Sequence, residues 1–242
     1  ANGLRNCGLQ PGDSVAVFMP MTAESVAIYL GIITAGCVVV SIADSFAAPE
    51  IQTRVRLGNA RLIFTQDVIH RGGKELPLYK KIVAADAPPA VVLPAGSALT
   101  ESLRDNDIRW DAFLPSASEF KTVSRTPDAF INILFSSGTT GDPKGVVFHH
   151  RGAYLNAISN VLCWNMAAHP VYLWTLPMFH CNGWCFPWSL AAVTGTSVCL
   201  RHVRDQAIFD AIKKHNVSHF CGAPVVLNTL LNAEDHMKQG IE

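Results

Sequence analysis

Nineteen residues in a row, Ser25 to Ala43, carry no charge, and what this run becomes decides the class of the whole chain. Its length approaches the about 20 apolar residues that a helix needs to span a bilayer. The run nevertheless divides. Thr22 is placed to cap a helix with Glu24 in its first turn, Gly36 to end it, and the β-branched Val38, Val39 and Val40 to follow as a strand. A buried helix and a buried strand account for the run, so no transmembrane segment is expected. With the apolar strand Val15 to Met19 ahead of it, introduced by Pro11, Gly12 and Asp13, the pattern is a βαβ unit.

The alternation continues. Glu50 to Leu57 reads as helix and Arg61 to Thr65 as strand, whereas prolines at 77, 88, 89, 94 and 115 break up the stretch Arg71 to Arg125, which reads mainly as surface connection with short strands such as Ala90 to Leu93. Order returns with strand Ala129 to Phe135, strand Val146 to Phe148 and helix Arg151 to Leu162. The last third gives strand Val171 to Leu176, helix Trp184 to Val193, strand Thr196 to Leu200, helix Gln206 to His215 capped by Asp205, strand Val217 to Cys221 and helix Val225 to Asn232. Continuous apolar strands between helices place the chain in the α/β class, with largely parallel sheets covered by helices.

Charge excludes one class of partner. Nineteen basic residues balance nineteen acidic ones, so no overall field draws the chain to nucleic acid, and any anion site is local. Seven cysteines scattered through apolar segments form no disulfide framework and point to an intracellular, reducing compartment. His180, Cys181 and Cys185 raise a zinc question, but no second ligand pair stands at finger spacing.

The local site is Ser136-Ser137-Gly138-Thr139-Thr140-Gly141-Asp142-Pro143-Lys144-Gly145, which sets four hydroxyls, three glycines and a lysine directly after a buried strand. Glycines allow positive φ and close backbone approach, so that successive N–H groups converge on phosphate oxygens. The hydroxyls add donors and Lys144 a point charge. The order is not a Walker A loop, because Pro143 and Gly145 stand where that motif needs glycine and Ser or Thr, and no GxGxxG occurs.

FSSGTTGDPKG resembles the signature loop of the adenylate-forming (AMP-binding) superfamily, which includes acyl-CoA ligases, luciferases and peptide-synthetase adenylation domains. The similarity runs from about Gly8 to the end: LQPGDSVAVFMPMTAESVAIYLGIITAGCVVVSI is similar to that family's opening βαβ, and LPMFHCNGW to the region lining its acyl and nucleotide pocket. The resemblance implies part of the large N-terminal domain of an acyl-CoA synthetase-like enzyme, with a first βαβ region over 1–70, a connecting region over 71–128 and a phosphate-loop and acyl-pocket region over 129–242.

It implies a two-step ligase reaction as well. A fatty or aromatic carboxylate attacks the α-phosphate of ATP with loss of pyrophosphate, and the acyl-adenylate then passes to the thiol of coenzyme A. On this resemblance Ser136, Ser137, Gly138, Thr139, Thr140, Gly141 and Lys144 hold the phosphates, and Ser136, where the family usually has threonine, stands near Mg²⁺. His180 borders the substrate or is a satisfied core histidine, Trp184 lines the acyl pocket or belongs to the core, and Gly222, Ala223 and Pro224 border the substrate or form a plain strand-to-helix turn. Phe186 reads either as pocket lining or as core, and His149, His150 and Arg151 as residues that orient the loop or cap the next helix. A small-molecule carboxylic acid is the implied partner, a homodimer is allowed, and the location is cytoplasmic or peroxisomal. No Tyr-Gly-x-Thr-Glu segment occurs in these residues, so the expectation is an incomplete domain with little or no ligase activity by itself. The alternatives are another adenylating enzyme of the peptide-synthetase type, or a non-catalytic nucleotide-binding fragment.

Overall fold

A computed structural model of the chain describes residues 1–71, 73–136, 141–178, 183 and 185–241. In chain order the elements are α1 (Asn2–Asn6), β1 (Ser14–Phe18), α2 (Ala23–Thr34), β2 (Val38–Ser41), α3 (Ala48–Leu57), β3 (Ala60–Gln66), β4 (Ile69–Arg71), β5 (Lys74–Leu76), α4 (Leu78–Ala84) and β6 (Ala90–Leu93). There follow β7 (Ile108–Arg109), α5 (Trp110–Phe113), β8 (Phe130–Ser136), β9 (Lys144–His149), α6 (His150–Cys163), β10 (Val171–Trp174), α7 (Phe186–Ala192), β11 (Thr196–Cys199), α8 (Asp205–His215), β12 (His219–Phe220), α9 (Pro224–Leu231) and α10 (Asp235–Lys238). The chain divides into two units, Ala1–Pro20 with Ala27–Arg151 and Met21–Val26 with Gly152–Glu242.

The first unit is organised on a seven-stranded sheet in the order β7-β6-β3-β1-β2-β8-β9. Every neighbouring pair is parallel except β8 with β9. The uncharged run splits where the sequence indicates. Ser25 N–H donates to the Thr22 hydroxyl at 3.3 Å, capping α2. Gly36 takes φ +76, which only glycine adopts freely, and turns the chain into β2. Among the described residues no helix is long and apolar enough to cross a membrane.

Inner strands of this sheet are buried on both faces. Ala16, Val40, Ile63, Ala90 and Val92 pack with Ile51 of α3 and with Leu78 and Ile82 of α4 in one core. Each large aliphatic side chain in it contributes roughly 1.5–3 kcal/mol by leaving water. The stretch 71–125 is mainly exposed or half-buried, but it holds two interior elements: β6 is buried at all four positions and α4 buries Leu78, Tyr79 and Ile82. Its prolines lie between these elements rather than inside them, so they punctuate buried structure without breaking it.

The second unit holds a three-stranded parallel sheet, β11-β10-β12. Leu173 of β10 packs against Ile208 and Ala211 of α8 and Val226 of α9. Several boundaries shift from expectation by one or two residues, and two of the shifts have a clear cause. Asp205 is the first residue of α8 rather than its cap, because Arg204 occupies the extended N-cap position and no side chain caps that end. β12 covers only His219–Phe220, since Asn216 adopts φ +51 and Val217 N–H bonds back to Ile212 O at 3.2 Å, closing α8 with residues that would otherwise begin the strand.

Candidate functional site

β8 leaves the sheet interior as it runs: Ile131 and Asn132 are buried, Ile133 to Phe135 half-buried and Ser136 exposed. β9 returns antiparallel, and the register that begins with Phe130 opposite His149 ends with Ser136 opposite Lys144. Residues 137–143 join those two positions, so a hydroxyl and an ammonium flank the mouth of the Ser/Gly/Thr-rich loop. Ser137, Gly138, Thr139 and Thr140 lie outside the described residues. Gly141 has φ +82 and open space where a Cβ would stand. Lys144 is exposed and makes no ion pair among the described residues.

The structure thus brings Ser136, Gly141 and Lys144 to one end of one hairpin. An unpaired ammonium beside a hydroxyl and a positive-φ glycine fits an anionic ligand such as a triphosphate. A single hydroxyl also suits Mg²⁺, which usually keeps several waters and takes its other ligands from phosphate oxygens.

His149, His150 and Arg151 stand at the other end of that hairpin. His150 begins α6 and its N–H donates to Ala129 O at 3.0 Å, while Arg151 N–H donates to Pro127 O at 2.8 Å. The Arg151 guanidinium pairs with Asp128 at 3.2 Å. Burial first, and the Arg125 charge second, lower the His150 pKa. These residues secure the start of β8 to the start of α6, away from the loop.

One contributor at the root of the hairpin is invisible in the sequence. Arg54 of α3 is buried to 8% exposure, although APEIQTRVRL offers three polar neighbours and a second arginine and reads as an ordinary surface helix. Its guanidinium carbon lies 3.9 Å from the centroid of the Phe46 ring and 5.6 Å from that of Phe135. Nη1 donates to Glu50 O at 2.9 Å, and Nε is buried with no hydrogen-bond partner among the described residues. Glu50 accepts from Ala47 N–H instead, at 3.0 Å. Desolvation lowers the Arg54 pKa, with Glu50 opposing it.

In the second unit, Gly222, Ala223 and Pro224 follow the carboxyl end of β12, where an open parallel sheet presents ligands. Ala223 is the extended N-cap of α9 and Pro224 its first residue. A Cβ on Gly222 would meet Leu227 at 3.3 Å. The Thr175 hydroxyl after β10 donates to Cys221 O, tying together the ends of neighbouring strands. Tyr172 stacks on Phe186 with centroids 4.6 Å apart, and burial pushes its hydroxyl pKa far up. Phe186 is 4% exposed and belongs to this aromatic core.

His180, Cys181 and Trp184 lie outside the described residues, and Cys185 is buried beside α7. Among the described residues no group of three His, Cys, Asp or Glu could hold a metal ion. Gly183 is a position that motif reading passed over: a Cβ there would lie 2.4 Å from the Pro177 carbonyl oxygen, so the bend between β10 and α7 requires glycine.

The sequence pattern described as "AMP-binding enzyme" matches residues 1–240. The acetate/butyrate–CoA ligase AAE7 of Arabidopsis thaliana, named as peroxisomal, is 36% identical over 96% of the chain and 42% of its own length. Hexanoyl-CoA synthase of Cannabis sativa is 45% identical over 81% of the chain and 28% of its length. In three dimensions the chain resembles the crystal structure of a Brucella canis acyl-CoA synthetase with a TM-score of 0.81, over 98% of the chain and 42% of that protein. At 22% identity this likeness speaks for the fold alone. The chain thus spans well under half the length of these relatives.

Proposed function

The chain belongs to the AMP-binding enzyme family, and from that premise we propose that the protein carrying it is an AMP-forming acid–CoA ligase. A fatty or aromatic carboxylic acid would react with ATP to give an acyl-adenylate and pyrophosphate, and coenzyme A would then take the acyl group with release of AMP. What carries the reading is the exposed Lys144 ammonium, without an ion pair among the described residues, opposite Ser136 at the loop mouth, in a chain whose relatives are named as CoA ligases.

Attack of a carboxylate on phosphorus needs no covalent catalyst from the protein. It needs the reactants held in line and the charge on the transferring group neutralised. Ser136, Ser137, Gly138, Thr139, Thr140, Gly141 and Lys144 would hold the β- and γ-phosphates. Mg²⁺ near Ser136 would supply further neutralisation of phosphate charge. His180, Trp184 and Gly222 to Pro224 would border the acyl group. Of the cytoplasmic and peroxisomal locations, the peroxisome is supported by the names of several relatives.

Pyrophosphate release by the full-length protein over short, medium and aromatic acids, with and without coenzyme A, tests the reading. Lys144→Ala is expected to cut kcat/KM for ATP by about 10²-fold, the scale of losing one preorganised charge contact. Full ATP affinity and rate in that variant would remove the lysine from the site. Adenylate formation without transfer to coenzyme A would instead indicate an enzyme with a different acceptor.

A further inference from the structure

A buried arginine with no carboxylate partner is an expensive way to fill a core position that leucine or methionine could fill. Arg54 is such a residue, and its surroundings indicate what it does. Phe46 follows the carboxyl end of β2, Phe135 stands one residue before the end of β8, and β2 and β8 are parallel neighbours. The guanidinium lies against both rings. On the other arm of the hairpin, Gly145 is the register partner of Phe135, and a Cβ on it would stand 3.6 Å from Phe135 Cε1 and 3.3 Å from Ile133 Cγ2. The Phe135 ring therefore reaches the bare Cα of Gly145. Arg54, Phe135 and Gly145 form a continuous line of contacts from α3 across both arms, ending beside Ser136 and Lys144.

We propose that Arg54 is a positioning residue for the phosphate-binding loop: its guanidinium, stacked on Phe46 and set beside Phe135, fixes the end of β8 and with it the separation of Ser136 and Lys144. The inference rests on the nucleotide reading of that loop given above. Arginine suits the task because its plane lies flat on aromatic faces, whereas the lysine ammonium is a compact, strongly hydrated point. The Nε without a hydrogen-bond partner among the described residues agrees with this role, since the group lies over the Phe46 ring and makes one bond, to Glu50 O. The role is indirect: Arg54 would act on ATP only through where it holds the two arms.

Steady-state kinetics of the full-length protein carrying Arg54→Met, Arg54→Lys or Phe135→Leu, with a thermal melt of each, test the proposal. Arg54→Met and Phe135→Leu are expected to raise KM for ATP by about tenfold, less than the 10²-fold that a misplacement of about 1 Å at a reacting centre can cost. KM for the carboxylic acid should change by less than twofold. Arg54→Lys, which keeps the charge and loses the plane, should resemble Arg54→Met; rescue by lysine would overturn the stacking role. Equal rises in both KM values with a lowered melting temperature would mean a merely structural residue and would also overturn it. Should Arg54→Met fail to fold, Arg54→Lys and Phe135→Leu decide. Lys144→Ala separates the two readings: if it too leaves KM for ATP unchanged, the loop assignment fails; if it alone raises that KM, the clamp fails.

Discussion

Both units are built from the same strand-helix alternation, yet they dispose of their apolar residues differently. In the first, five neighbouring strands, β6, β3, β1, β2 and β8, lie inside the sheet, and Ala16, Val40, Ile63, Ala90 and Val92 are fully buried. The second has three strands, and the four residues of β11 are half-buried or exposed. The most exposed large apolar side chains among the described residues are all in this unit: Tyr154 at 65%, Leu162 at 74%, Val225 at 70% and Leu231 at 77%. A sheet becomes interior only when enough strands stand beside each other for helices to cover both faces. The same residue types then carry very different weight in the two units.

Truncation should reveal the largest difference. Ile63→Ala removes a fully buried branched side chain from the middle of the seven-stranded sheet and is expected to cost about 2–5 kcal/mol. Leu231→Ala, at 77% exposure on α9, should stay within about 0.5 kcal/mol. Urea midpoints at equal m-value measure both, and similar losses at the two positions would end the contrast between the units.

At the loops the order of the units reverses. Gly183 has a backbone oxygen 2.4 Å from where a Cβ would stand, whereas Gly141 has open space and needs glycine only for its φ of +82. Gly183→Ala must therefore move backbone, which is expected to cost about 1–3 kcal/mol. Gly141→Ala meets only the conformational penalty, about 1 kcal/mol. Thermal melts of the two variants sharpen the comparison, and a larger loss at Gly141 would contradict it.

Legibility in the sequence follows the same division between local and tertiary causes. The helix and strand within Ser25–Ala43 can be read because their signals, Thr22, Gly36 and three successive valines, are local. β6 is recognisable as a short strand, but its place inside the sheet depends on pairing with β3 and β7, which four residues between prolines do not announce. The loop from Ser136 to Lys144 stands out because small and hydroxylated residues crowd into it, a pattern that phosphate binding would use. Arg54 escapes notice because Arg56, two positions on, is indistinguishable from it in sequence, and only Phe46 and Phe135 make the difference. Phe186 shows the converse: its apolar character is plain, while its stack on Tyr172, which places it in the aromatic core, is a tertiary contact.

Ion pairing gives the smallest expected effect and the last separation of the units. In the first, the Asp107 side chain is fully buried against Arg104. It accepts from Arg104 Nε at 2.8 Å and Nη2 at 2.9 Å, from the Tyr79 hydroxyl at 2.7 Å and from Ala90 N–H at 2.8 Å. Burial alone would raise the pKa of this carboxyl, but the bonds from Arg104, Tyr79 and Ala90, together with the Arg104 charge, outweigh it and hold the pKa below the ordinary 3.8. A pKa depressed in the folded state means stabilisation that is fully present above the unfolded value and lost as the pH falls through the folded one. The second unit's pairs, Glu234 with His236 and Asp235 with Lys238, are exposed and contribute little. Acidification below 3.8 should accordingly weaken amide-exchange protection in β6, β7 and α4 through Asp107, and Asp107→Asn should flatten that part of the profile. Asp235→Asn should leave it unchanged. A profile insensitive to Asp107→Asn would show that the carboxylate gains no more from its four donors than burial takes away, and the electrostatic contrast between the units would disappear.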